Sequence, residues 1–248
     1  MKGTNLHRRV AKVGQLFGEK GAYFVVRRAW FRLIYPHWLY RLFGGNRKFD
    51  LNGNRYAYHY QRYNTAWRNE RTVEIAIFEA LLNQYRGKRA LEVGNVLSHY
   101  FRDIVPGRSH IVVDKYEVAE GVVNEDIQSY EAEPFDLIMS ISTLEHVGWD
   151  EKPRDPEKVL RAIDNLKKLV RPGGELVVSI PLAYHPPLDR ALMEGKVAFD
   201  KLSYLKRMNQ FNSWREVGAE AVEGVRFNDP YPGASAVSVC RWANQADP

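Results

Sequence analysis

"RALEVGNVLSHYF", residues 89–101, sets a short apolar run, Ala90 to Val93, directly before Gly94. A run of this kind ending in glycine reads as a buried parallel strand feeding a tight, ligand-facing turn. Two features qualify that reading. The stretch holds one glycine where dinucleotide-binding turns carry two or three. Glu92 also stands inside the run, a costly place for a carboxylate unless it is paired. Its bland fate is an ion pair with a helix arginine such as Arg71; its functional fate is to face a cationic ligand or to order the turn around Gly94.

Upstream, "TAWRNERTVEIAIFEALLNQY" (65–85) places Val73, Ile77, Leu81 and Tyr85 at fourfold spacing, which predicts an amphipathic helix ended by Gly87. Downstream, apolar β-rich runs recur at "HIVVD" (110–114), "FDLIMSI" (135–141) and "ELVVSIP" (175–181). Between the last two, "DPEKVLRAIDNLKKLV" aligns Val159, Ile163, Leu166 and Val170 on one helix face, and "RPGG" (171–174) turns the chain into the next strand. Strands that are apolar throughout, alternating with helices, predict an α/β fold with a doubly wound, mostly parallel sheet covered on both faces. "LDRALMEGK" reads as a short helix, and "FDKLSYLKRM" and "ASAVSVCRW" as closing strands, the last pair antiparallel.

In such a sheet, ligands bind beyond the carboxyl ends of the strands. Asp114 follows the second strand, twenty residues after Gly94, an offset suited to accepting hydrogen bonds from a ribose diol. In "NEDIQSY" (124–130), Asp126 and Ile127 end the expected third strand. There a carboxylate can accept from an exocyclic amine while an aliphatic neighbour covers a purine face. These positions alone also admit an NAD- or nucleotide-sugar-dependent Rossmann enzyme.

Over roughly residues 68–242 the chain resembles the class I S-adenosylmethionine-dependent methyltransferases. "ALEVGNV" looks like that family's first motif, "VVDKYE" its ribose-binding acid and "EDIQSY" its adenine-binding acid. "FDLIMSISTLEHVGWDE" and "LKKLVRPGGELVVSIP" look like its fourth- and fifth-strand motifs. Leu-Glu-His-Val followed by Pro-Gly-Gly is characteristic of the small-molecule and saccharide branch. "WRNERTVEIAI" and "DPYPGASAVSV" resemble bacterial methyltransferase-like proteins associated with surface-polysaccharide and glycolipid synthesis.

The resemblance implies a Rossmann-like, mostly parallel seven-stranded sheet with an antiparallel last strand, and S-adenosylmethionine as cofactor. It sets Glu92, Gly94 and Asn95 beside the methionine part, Asp114 and Lys115 beside the ribose, Asp126 and Ile127 beside the adenine, and Ser140 at the sulfonium. The departure is Gly94-Asn95-Val96-Leu97-Ser98 in place of Gly-x-Gly-x-Gly. Losing the later glycines removes room for a backbone to approach a pyrophosphate, which counts against a dinucleotide more than against S-adenosylmethionine. It also motivates a rival reading, a methyltransferase fold kept for binding or scaffolding without turnover.

Methyl transfer to a hydroxyl needs in-line positioning and removal of a proton. Glu145 and His146, just beyond the fourth strand, and His185, in "LAYHPPLD", are the candidate catalytic groups; histidine suits the task. Their bland alternatives are a local cap or ion pair for Glu145 and a ring packed under the loop for His146. Asp150 and Glu151 lie near enough in sequence to join a Glu-His metal site, but a charged loop of that composition is more often solvated, and no metal is assigned. "SISTLEH" lacks the Asn/Asp-Pro-Pro-aromatic sequence associated with methylation of base or amide nitrogens. That absence makes nucleic acid a less expected partner, while the resemblance to surface-polysaccharide and glycolipid enzymes implies an acceptor oxygen on a saccharide, a lipid-linked saccharide or a related small molecule.

Charge is divided unevenly along the chain. Residues 1–62 hold 13 of the 36 Lys and Arg, 13 of the 31 aromatics and only two acidic residues, a net of +11, while the other 186 residues sum to −5. These 62 residues read as a helical basic-aromatic appendage before a methyltransferase domain at 63–248, with a loop and possible hairpin at "FGGNRKFDLNGNRY" (43–56). Arg27, Arg28, Arg32 and Pro36 interrupt "AYFVVRRAWFRLIYPHWLYRLF" (22–43), so it falls short of the roughly 20 apolar residues of a membrane span. A secretory leader is not expected, since charges and glycines stand where its apolar run should be. The single Cys240 fits a reducing cytoplasm. Two readings of residues 1–45 remain: an interfacial helix on anionic lipid at the inner membrane face, or a cover packed on the main domain. Liposome flotation separates them. Flotation of the whole chain, lost on removing residues 1–45, marks the lipid-binding reading; failure of both to float with anionic vesicles removes it.

Overall fold

Asn52 and Gly53 adopt positive φ angles of 55° and 77°, the conformation a two-residue turn needs to join twisted strands. β1 (Lys48–Leu51) and β2 (Asn54–Ala57) accordingly pair as an antiparallel hairpin. The computed structural model describes residues 46–61, 63–102, 104 and 109–245. Residues 1–45, and with them the expected helical appendage and its membrane contact, lie outside the described residues. One compact unit spans residues 48–248, and within it Phe49 and Leu51 are buried in the cluster that also holds the first helix.

That helix, α1 (Arg71–Gln84), starts later than its periodicity suggests, after a 3-10 turn at Tyr63–Thr65. Beyond it the chain forms β3 (Ala90–Val93), β4 (His110–Val113), β5 (Val122–Val123), β6 (Phe135–Ile141), α2 (Lys158–Lys168), β7 (Val170–Pro181), α3 (Pro186–Met193), β8 (Lys201–Arg207), β9 (Trp214–Val217) and β10 (Ala236–Ala243). The main sheet has the order β5-β4-β3-β6-β7-β10-β8-β9. Its strands are parallel from β5 to β7, and β10 runs antiparallel to both neighbours.

The fold is thus a Rossmann-like, mostly parallel sheet with an antiparallel C-terminal strand. It has eight strands where seven were expected, because β9 adds an antiparallel edge beside β8. Both faces are covered, as continuous apolar strands require. Leu137, Met139 and Ile141 of β6 join α1 and the hairpin, whereas Phe135 and Ile138 join α2 and α3. Among the described residues no helix is long and apolar enough to cross a membrane.

Glu92, fully buried in β3, decides how the chain leaves the sheet. Its Oε1 accepts the N–H groups of Val96 and Leu97, both at 2.8 Å, and its Oε2 stands 2.8 Å from Nε2 of His110. The pair with Arg71 does not form; Arg71 instead bonds Glu74 at 2.8 Å and the Ile141 carbonyl at 3.2 Å. A buried donor left without an acceptor costs about 1–3 kcal/mol. Glu92→Ala, which strands two backbone donors and His110, is expected to lower the unfolding free energy by about 2–5 kcal/mol in urea denaturation. Glu92→Gln, keeping an acceptor, should lose less, and an unchanged midpoint in the alanine variant would show that the turn is held by other means.

Candidate functional site

Strand order reverses beside β3: β4 and β5 lie on one side of it, β6 and β7 on the other. Ligands bind at such a switch point. Gly94 and Thr143 meet there. Gly94 has φ +86°, and a Cβ on it would lie 2.3 Å from the Thr143 hydroxyl oxygen, so only glycine lets the two turns approach. Beside them opens a cavity of about 550 Å³, lined by Gly94, Asp114, Lys115, Asp126, Ile127, Thr143 and His146 among others. A smaller, more polar pocket of about 210 Å³ abuts it, sharing Gly94, Asp114 and Thr143 and adding Asn95, Arg71 and Tyr100.

Asp114 is partly committed to its own loop. Its Oδ1 accepts the N–H groups of Tyr116 and Glu117 at 2.8 Å, while Oδ2 has only a long contact, 3.4 Å, from the Asn95 N–H. That second oxygen can still accept from a ligand. Asn95 is fixed by its side-chain amide, whose Nδ2 donates to Glu117 Oε1 at 2.6 Å. Across the cavity, Asp126 lies three residues past the short β5 rather than at a strand end. Its Oδ2 receives Lys115 at 2.9 Å and Lys158 at 2.5 Å, and both lysines also reach Glu151. Burial raises the Asp126 carboxyl, but the bonds from Lys158 and Lys115 outweigh it and bring the pKa to about 2. The Asp126 site therefore stays ionised. Ile127 is buried, and Asn165 of α2 holds its carbonyl at 3.0 Å.

Several residues singled out in the sequence stand elsewhere. Glu92 and Ser140 do not line either cavity. Ser140 is fully buried within β6 and bonds the Val93 carbonyl at 3.3 Å; Thr143, three residues on, lines both cavities. Glu145 is 2% exposed, lines neither cavity, and lies close enough to Arg71 to feel its charge. Burial pushes its carboxyl well above the usual range, and one oxygen has no hydrogen-bond partner. His185 is fully buried and stacked on Trp149 at 4.6 Å, with burial lowering its pKa. Neither group is placed to take a proton from a molecule in the cavity.

His146 lines the larger cavity, and its side chain is 47% exposed. Its Nδ1 lies 2.6 Å from Asp150 Oδ2, which also accepts the Tyr184 hydroxyl at 2.7 Å. Among the described residues, no group of three or more His, Cys, Asp or Glu side chains is arranged to hold a metal ion. Tyr100, Thr143 and Tyr184 escaped the sequence reading, and Arg71 entered it only as a candidate partner of Glu92.

A family model described as a methyltransferase domain matches residues 67–222. The chain belongs to this family. Among solved structures, the N-methyltransferase NodS of Bradyrhizobium japonicum WM9 with S-adenosyl-L-homocysteine aligns over 71% of this chain and 87% of that one, at 16% identity and TM-score 0.46. A possible histamine N-methyltransferase of Thermotoga maritima aligns over 71% and 91%, at 15% identity and TM-score 0.42. The sugar N-methyltransferase KedS8 of Streptoalloteichus aligns over 68% and 86%, at 13% identity and TM-score 0.35. No curated protein matches. These distant likenesses do not bear on the acceptor.

S-adenosylmethionine is the cofactor of this methyltransferase domain, and the residues present fit it. The large cavity offers apolar walls at Val93, Val113 and Ile127 with a carboxylate at Asp114, suited to a nucleoside. The smaller pocket offers a guanidinium at Arg71 and a buried, unpartnered Tyr100 hydroxyl, suited to a charged amino-acid end. Asp114→Ala is expected to weaken S-adenosylmethionine binding by about 1–3 kcal/mol, the cost of leaving hydrogen-bonding groups unsatisfied. Isothermal titration measures this, and unchanged affinity would move ribose recognition away from Asp114.

Proposed function

We propose that this methyltransferase transfers a methyl group to an oxygen of a saccharide, glycolipid or related small molecule, with His146 as the general base. The observation that supports the proposal is that His146 lines the same cavity as Gly94, Asp114, Asp126 and Ile127. A proton acceptor is thereby set beside the groups that suit the cofactor. Bound S-adenosylmethionine supplies an electrophilic methyl on its sulfonium.

The chain's own part is to hold and to deprotonate. Asp114 accepts from the ribose, Asp126 and Ile127 meet the adenine, and Gly94, Asn95, Arg71 and Tyr100 surround the amino-acid end. His146 takes the acceptor's hydroxyl proton, a contribution that for a positioned base amounts to about 10²–10⁴-fold. The rim suits a sugar. Asp150 and Glu151 line the cavity together with His146, and carboxylates accept the hydrogen bonds that a sugar's hydroxyl edge donates.

The turn after β3 speaks against a dinucleotide. Its Val96 and Leu97 N–H groups are spent on Glu92, so they do not form the anion cradle that a pyrophosphate requires.

S-adenosylhomocysteine release should be measured over a panel of saccharides and glycolipids, alongside cofactor affinity. His146→Ala is expected to lower kcat by about a hundredfold or more, with S-adenosylmethionine affinity unchanged. Full turnover in that variant would place the base elsewhere, and wild-type cofactor binding without turnover on any acceptor would favour a scaffold.

A further inference from the structure

Building on the reading of His146 as base, we infer that Asp150 and Tyr184 form a positioning pair that fixes this imidazole in one tautomer, proton on Nδ1 and lone pair on Nε2. The pair joins two loops: Asp150 follows β6 and Tyr184 follows β7, 34 residues away. Both meet at a single oxygen. Asp150 Oδ2 lies 2.6 Å from His146 Nδ1 and 2.7 Å from the Tyr184 hydroxyl.

That crowding dictates where the protons are. Burial raises Asp150, but the hydrogen bonds from His146 and Tyr184 prevail and hold it below the usual carboxylate range. Burial, and next the bond to Asp150, raise the Tyr184 hydroxyl, which keeps its proton and donates it. An ionised carboxylate only accepts, so the ring nitrogen facing it must carry a hydrogen. In a neutral imidazole the other nitrogen is then the acceptor.

Among the described residues no hydrogen bond claims that second nitrogen. The nearest carboxyl oxygen, Glu145 Oε1, is 3.6 Å from Nε2, outside good hydrogen-bond distance. Burial pushes the Glu145 carboxyl well above its usual range, which weakens any ion pair with the ring. Asp150 also lies within the field of Arg154, which favours its ionised form. The ring's tilt is limited by packing: Tyr184 meets it edge-on, centroids 4.7 Å apart and planes at 67°, and Phe227 meets Tyr184 at 82°. Tyr184 thus acts twice, through its hydroxyl on Asp150 and through its ring on His146.

The test needs neither an acceptor nor turnover. The full chain, labelled with ¹⁵N-histidine, is examined by long-range ¹H–¹⁵N NMR at a pH where the rings are neutral, with His146→Gln assigning the resonance. The wild-type ring is expected to show a protonated Nδ1 and an unprotonated Nε2. Asp150→Ala should shift the population toward the Nε2–H form. Tyr184→Phe, which keeps the ring contact and loses only the hydroxyl, should shift it the same way by less, with the other histidine signals in place as a control on folding. A wild-type proton on Nε2, or an Asp150→Ala spectrum matching wild type, overturns the inference, and a Tyr184→Phe spectrum matching wild type removes Tyr184 from the pair. Failure of the methyl-transfer reading appears separately, as missing S-adenosylhomocysteine release, so the two are told apart.

Discussion

A carboxylate buried in the first strand of a parallel sheet has to find hydrogen bonds for both oxygens, and Glu92 finds them in Val96, Leu97 and His110. This constraint shapes the whole turn beyond β3. Drawing two successive N–H groups back toward the strand winds residues 97–99 into a tight 3-10 turn. The turn points its donors inward, so it needs no further glycines to admit a phosphate. The one glycine that remains answers a different demand, the side chain of Thr143 against its α-carbon. The shortened glycine motif is thus a consequence of how the turn is held.

The same economy of charge recurs across the cavity. Lys115 and Lys158 bridge Asp126 on one wall to Glu151 on the other. Exposed pairs contribute little to stability, but the Lys158 side chain is only 11% exposed, where pairing is what makes a buried cation tolerable. Lys158 opens α2, and Gly148 packs so tightly on it that a Cβ there would lie 2.7 Å from Lys158 Cβ. The loop carrying His146 and Asp150 is therefore tied to the segment carrying Asp126 and Ile127, so the two sides of the cavity share one support.

Much was legible in the sequence. Apolar periodicity located α1, α2 and the strands of the sheet, because burial on both faces leaves a continuous signature. Gly94, Asp114, Asp126 and Ile127 were found because the carboxyl ends of strands converge on one place whatever the details of the loops. Less visible were elements without an apolar period. β5 is two residues long, and β9 is a four-residue edge strand with two exposed positions. The hairpin was visible as Asn-Gly, but its allegiance to the main body depended on Phe49 and Leu51 finding a distant cluster.

The sequence by itself determined the layer order, the family and the positions along the chain where a ligand would be met, since these arise from local pattern and strand polarity. The tertiary structure decided which way each side chain faces. Ser140 and Thr143, or Glu145 and His146, are near neighbours in the chain, yet one of each pair is buried away from the cavity and the other lines it. A strand alternates faces and a 3-10 turn rotates each residue by about a third of a turn, so an offset of one residue reverses the outcome. Asp150, four residues from His146, was within reach of a local reading, but Tyr184 was not. Asp150 and Tyr184 come together only because β6 and β7 are adjacent in the sheet and deliver their loops to the same edge of the cavity.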